Sequence, residues 1–219
     1  MKKLGMFLVF ALAMIIATPN CYAQYDKMLK KAQKKEYKEK MKQFKKEGWT
    51  IYGSSHTLEV ALLEHYIKKQ DPNAKEMVGV ASAFMSKNIG KQAALNSAIN
   101  EYARQAQSFV QGRVVSDMFN NADEIPAEFD KFYAAYESMV VKEIKGELEP
   151  SFSVIRSKGK QDGKEVFEMQ TFFIVNEDQA AKARMRAMEN ALKESTLAEE
   201  YASKVSNFVQ EGFDLESGN

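Results

Sequence analysis

The stretch GKQAALNSAINEYARQAQSF, Gly90 to Phe109, limits the fold more than any other part of the chain. Its apolar residues recur at three- and four-residue steps, which is the period of an amphipathic helix. Ala94 and Ala98 form one strip of that helix, and Leu95, Ile99, Tyr102, Ala106 and Phe109 run beside it. A helix with alanine on its buried side can come closer to a backbone surface than larger side chains would permit. KEMVGVASAF, Lys75 to Phe84, mixes valine with glycine and alanine and reads as a strand that admits close approach. The pair predicts a helix, from about Asn88 to Met118, lying across a sheet at the centre of the fold.

The other segments predict the remaining elements. WTIYG, Trp49 to Gly53, is a short aromatic and β-branched strand. Ser55 is positioned to cap a helix over LEVALLEHYIKKQ, which Asp71-Pro72-Asn73 stops. FNNADEIP breaks the long helix, and Pro126 opens another with Phe129, Phe132, Tyr136, Met139, Val140 and Ile144 on one side. In SFSVIRSKGKQDGKEVFEMQTFFIV, Phe152 and Val154 alternate with serines, and Phe167, Met169, Thr171, Phe173 and Val175 alternate in the second arm. KGKQDGK between them is turn chemistry, so the segment is a hairpin. One last helix is expected from Glu177 to Gln210. Met77, Met85, Met118, Met139 and Met169 fit core gaps.

The resulting fold class is α+β. It comprises a small, mainly antiparallel sheet of about four strands, long helices packed on one face, and an N-terminal lysine-rich helix. The hydrophobic fraction of 45% and charged fraction of 28% are those of one ordinary globular core. Formal net charge is +1, which excludes an overall nucleic-acid signature.

The N-terminus is a secretory signal by layout. Lys2 and Lys3 precede an apolar run from Leu4 to Ala17, Thr18-Pro19-Asn20 breaks it, and Cys21-Tyr22-Ala23 ends in a small residue. Cleavage is expected after Ala23. The domain plan is then 1–23 signal peptide, 24–47 lysine-rich helix, 48–212 single α+β domain and 213–219 frayed tail. The rival reading is lipidation at Cys21, the only cysteine, although Pro19 and Asn20 stand where a lipoprotein signal prefers small residues. The expected location is the periplasm or cell envelope of a bacterium, soluble or peripherally attached.

GWTIYG, then VGVAS leading into KQAALNSAINEYARQAQSFVQGRV, then the hairpin, together resemble the LPP-twenty envelope lipoprotein family and the related N-terminal domain of flagellar assembly protein T. Ala94, Ala98, Tyr102 and Ala103 sit where that family's helix pattern places them, and the resemblance covers roughly residues 75–175. It implies a compact α+β domain used in bacterial envelopes, with no enzyme activity and no catalytic residues to carry over.

The chain carries few residues in catalytic or metal-binding patterns. His56 and Glu59 have helical metal-ligand spacing, but His65 is too far along for a third ligand, and no metal or cofactor site is expected. Gly53-Ser54-Ser55-His56 places serines beside a histidine without the G-x-S-x-G motif, so Ser54 and Ser55 read first as a turn and cap. The expectation is a non-catalytic binding or assembly module with no catalytic residues. The alternative is an envelope hydrolase with a site near Ser54, Ser55 and His56.

Residues 25–47 hold ten lysines and four acids around a narrow stripe that includes Tyr37, Met41 and Phe44. Lys30, Lys31, Lys34, Lys35 and Lys38 are the candidate contacts for a partner or a lipid surface. The expected partner is an envelope protein, with peripheral membrane contact as the other option. Nucleic acid and a small-molecule substrate are not expected.

Overall fold

A computed structural model describes residues 18–119, 125–195 and 197–211, with side chains of those residues from 30 to 210. The apolar run 4–17, residues 120–124 of the helix-breaking stretch FNNADEIP and the tail 213–219 lie outside the described residues. The chain divides between Glu47 and Gly48 into two compact units.

The first unit contains α1, Thr18–Lys46. It begins within Thr18-Pro19-Asn20, because a proline in the first turn lacks only an N–H that has no intrahelical partner. Cys21 falls in this helix, but its side chain is outside the described set. Lys30, Lys31, Lys34, Lys35 and Lys38 are all exposed.

The second unit runs β1 (Thr50–Tyr52), α2 (Leu58–Lys68), β2 (Ala74–Phe84), α3 (Lys87–Met118), α4 (Glu128–Ile144), β3 (Leu148–Gln161), β4 (Lys164–Asn176), α5 (Glu177–Glu194) and α6 (Glu199–Glu211). The four strands form one antiparallel sheet in the order β1-β3-β4-β2. This is the α+β architecture expected from the segment pattern.

The hairpin is longer than its loop residues suggest. Both strands continue through KGKQ and KEV, and the turn shrinks to Asp162-Gly163. Both residues have positive φ, 51° and 74°, which is the two-residue hairpin turn that matches strand twist. Gly159, at φ 99°, absorbs a register shift after Ser157.

Registration defines the two faces of the sheet. Met77, Gly79 and Ala81 of β2 sit opposite Phe173, Thr171 and Met169 of β4. Ser153 and Ile155 of β3 continue the same rows. This inner face lies under α3, and α4, α5 and α6 complete the main core with Phe132, Tyr136, Ala183, Ala187 and Val205. The opposite face carries Phe152, Val154 and Phe172, and there the short α2 packs on β3. The long helices therefore share one face, and α2 covers part of the other. Alternation in the first hairpin arm is accordingly incomplete: Ser153 is buried and bonds Thr171 through their hydroxyl oxygens at 2.9 Å.

The expected close approach is present. A Cβ on Gly79 would meet the Ala94 carbonyl oxygen at 1.8 Å and the Ala98 Cβ at 3.2 Å. Ala94 and Ala98 are fully buried, and the first turn of α3 rests Gly90 against the ring of Phe84.

Three further expectations change. The α2 cap is Thr57, whose hydroxyl accepts from the Val60 N–H, and not Ser55. Met85 is exposed, because the irregularity between Ala81 and Phe84, with Ala83 at φ 55°, turns Phe84 inward and Met85 out. The single last helix is two helices: Ser195 adopts extended dihedrals after Glu194, and the redirected α6 brings Val205, Phe208 and Val209 back into the core.

Candidate functional site

Helix α2 has two apolar sides. Leu58, Ala61, Leu62, His65 and Tyr66 are buried. Val60, Leu63 and Ile67 are exposed by 43%, 51% and 56%. They recur at steps of three and four, so they form a continuous stripe along the outward face. Single exposed apolar residues need no explanation; three aligned on one short helix are a candidate interaction surface.

The helix is held firmly enough to present that stripe. Phe152 and Phe172 stack with centroids 4.5 Å apart and planes 1° from parallel. His65 meets both rings edge-on, at 5.3 and 5.7 Å. Its Nε2 lies 2.5 Å from Glu76 Oε2 on β2, and Lys69 Nζ lies 3.3 Å from the same oxygen. Burial pushes the Glu76 carboxyl up, but the His65 hydrogen bond and the Lys69 charge outweigh that and hold it below its ordinary value. The His65 Nδ1 is buried without a partner. His65 is thus a clamp between α2 and the sheet, more deeply buried than its spacing from His56 suggests.

At the C-terminal end of α2 the stripe runs into a cleft of about 750 Å³. Ile67, Ala74, Leu148, Pro150 and Ile174 supply its apolar lining, and Lys68, Asp71, Glu147 and Glu149 its charges. Lys68 and Glu149 pair at 2.9 Å across the mouth. The combination of an apolar stripe, an adjoining recess and a polar rim has the layout of a protein-binding surface. Exposed valine and leucine inside a helix pattern were the available sequence signal, but periodicity alone does not say that a helix has a second apolar side.

The serine–histidine cluster is open to solvent. The Ser54 hydroxyl accepts from the His56 backbone N–H at 3.1 Å. The His56 ring turns to Glu64, with Nδ1 3.1 Å from one carboxylate oxygen and 3.2 Å from the other. Both side chains are about half exposed. A histidine–carboxylate pair therefore exists, without an enclosed substrate site or a bond between the ring and either serine among the described residues.

A second buried polar group is structural in its connections. Arg184 of α5 is 2% exposed and donates to the Tyr102 hydroxyl and to Glu177 Oε1, each at 2.6 Å. Lys75 stands 3.3 Å from the other Glu177 oxygen, within ion-pair range but not aimed as a hydrogen bond. Burial pushes the Tyr102 hydroxyl up to about 12, against the pull of the guanidinium. The group ties α3, α5 and β2 together.

On α1 the five candidate lysines are exposed, and four of them, Lys31, Lys34, Lys35 and Lys38, line one shallow recess, with Lys35 and Glu39 3.8 Å apart. Among the described residues no helix is long and apolar enough to cross a membrane. No protein-family model matches the chain, and no curated protein matches it.

Proposed function

We propose that this protein is an exported, non-catalytic binding or assembly module of the bacterial cell envelope, and that it engages a protein partner through the outer face of α2. The observation that carries the reading is the stripe Val60, Leu63 and Ile67, exposed on a helix whose other side is clamped to the sheet. Lys2, Lys3, the apolar run and Ala23 support export, and the likeness of the central helix and hairpin to the LPP-twenty pattern supports an envelope role. Site-specific photocrosslinking in cells tests it. A crosslinker at Leu63 should capture one defined protein, and Ile67→Lys should remove that adduct while leaving the melting temperature unchanged. Capture that is absent, or that persists in Ile67→Lys, overturns the assignment of this face.

A second reading rests on α1. Its exposed lysines Lys30, Lys31, Lys34, Lys35 and Lys38 suit peripheral contact with anionic lipid, where each contributes on the order of 1 kcal/mol. The hydrolase alternative retains only the His56–Glu64 pair in its favour.

A further inference from the structure

On the opposite side of the sheet from α2, a cavity of about 330 Å³ lies between the first turns of α3 and the inner sheet face. Leu95, Pro150 and Phe173 form its apolar walls. Its polar groups are Asn88, Lys91, Gln92 and Thr171, so the lining contains one cation and no acid. Of these, Thr171 is bonded to Ser153, its register partner on β3. Ser153 and Thr171 share one hydrogen bond, in which one hydroxyl donates to the other. Two hydroxyls carry two hydrogens, so one O–H is left over, at side chains only 8% and 2% exposed. Gln92 donates to Asn96 Oδ1 at 3.0 Å and keeps one amide hydrogen free of that bond.

We propose that this groove binds a short apolar carboxylate. Donors line it from two sources, the Lys91 ammonium and the side-chain amides, and the Thr171 hydroxyl supplies a third when Ser153 donates to it. A carboxylate is acceptor-only and takes several such donors at once. An inorganic anion would satisfy the donors and leave Leu95, Pro150 and Phe173 uncovered. An amine would face Lys91. The volume accommodates about ten groups of water size at ~30 Å³ each, which suits a six-carbon acid and excludes a long acyl chain from full enclosure. The site departs from the expectation that no small molecule binds. It lies across the sheet from the Val60, Leu63 and Ile67 stripe and shares only Pro150 with the cleft beside that stripe.

The test is an NMR titration of the full chain with hexanoate, hexylamine and inorganic phosphate in parallel. Hexanoate should give saturable shifts at Thr171, Phe173 and Leu95 with affinity in the millimolar range or better, as a ligand this small allows. Lys91→Gln, an exposed position that leaves the fold alone, should weaken it about tenfold, the scale of one lost charge-assisted hydrogen bond. Thr171→Val, which keeps the shape and removes the hydroxyl, should weaken it severalfold. The proposal is overturned if hexanoate produces no saturable shift, or if its shifts fall on the α1 lysines. It is equally overturned if Lys91→Gln binds as well as the parent, or if hexylamine or phosphate reproduces the same shifts.

Discussion

At Gly79 a single added carbon would land 1.8 Å from the Ala94 carbonyl oxygen, a backbone atom that cannot rotate away. Gly79→Ala should therefore cost about 3 kcal/mol, the upper end of overpacking penalties, measured by urea unfolding. Ala98→Leu should act in the same direction by ~1–3 kcal/mol, since Ala98 is fully buried in the same contact. Glu76 makes a different claim. Its folded carboxyl titrates below the ordinary value of 4.5, so the stability it contributes is present above that value and is lost as pH falls through the folded one. Glu76→Gln should flatten the acid side of the stability profile below about pH 4.5 and leave its alkaline side unchanged. Both positions differ in how far they can be read ahead. A glycine among valines, facing an alanine helix, declares a close approach. Nothing around Glu76 declares that His65 and Lys69 will meet it, because the face of β2 that the preceding helix covers is decided only when α2 packs on the sheet.

At the scale of elements, α5 is locked to α3 by Arg184 and Tyr102. Arg184→Ala removes one partner from a buried, charge-assisted set and should cost ~3–5 kcal/mol, read as a lowered melting temperature. Tyr102 adds a pH signature. Its raised folded value means that its contribution is complete below the ordinary value of 10.0 and disappears as pH climbs through about 12. Absorbance titration should show exposed tyrosines ionising first, with the Tyr102 step delayed until the chain unfolds. The last helix is instructive at this scale too. Alanine and leucine periodicity continues on both sides of Ser195, so the pattern reads as one helix. The turn there is chosen by the core, which gains Phe208 and Val209 when α6 folds back.

For the molecule as a whole, charge is unevenly placed. Residues 25–47 hold ten lysines and four acids, whereas residues 48–219 carry 19 Lys and Arg against 26 Asp and Glu. A net charge near zero thus conceals a basic helix joined to an acidic domain. Flotation with anionic vesicles should recover the protein at low salt and lose it as ionic strength rises past ~0.15 M, where the Debye length falls to ~8 Å. Replacing Lys30, Lys31, Lys34, Lys35 and Lys38 with glutamine should abolish that recovery at every salt concentration. Binding that is insensitive to salt, or unchanged in the variant, would remove the lipid reading of α1.

What the sequence by itself determined was local and periodic. The helix over 87–118, the strand of small residues before it, the hairpin arms and the α+β class all follow from spacing and residue size, which act along the chain. The tertiary structure decided what depends on elements meeting. It selected Thr57 over Ser55 as the cap, buried Ser153 on the inner face, exposed Met85, ended the helix at Ser195 and left Val60, Leu63 and Ile67 outside. Each of these outcomes turns on which face a neighbouring element covers. Hydrophobic burial is non-directional, so a one-dimensional pattern marks residues fit to be covered without saying which of them will be.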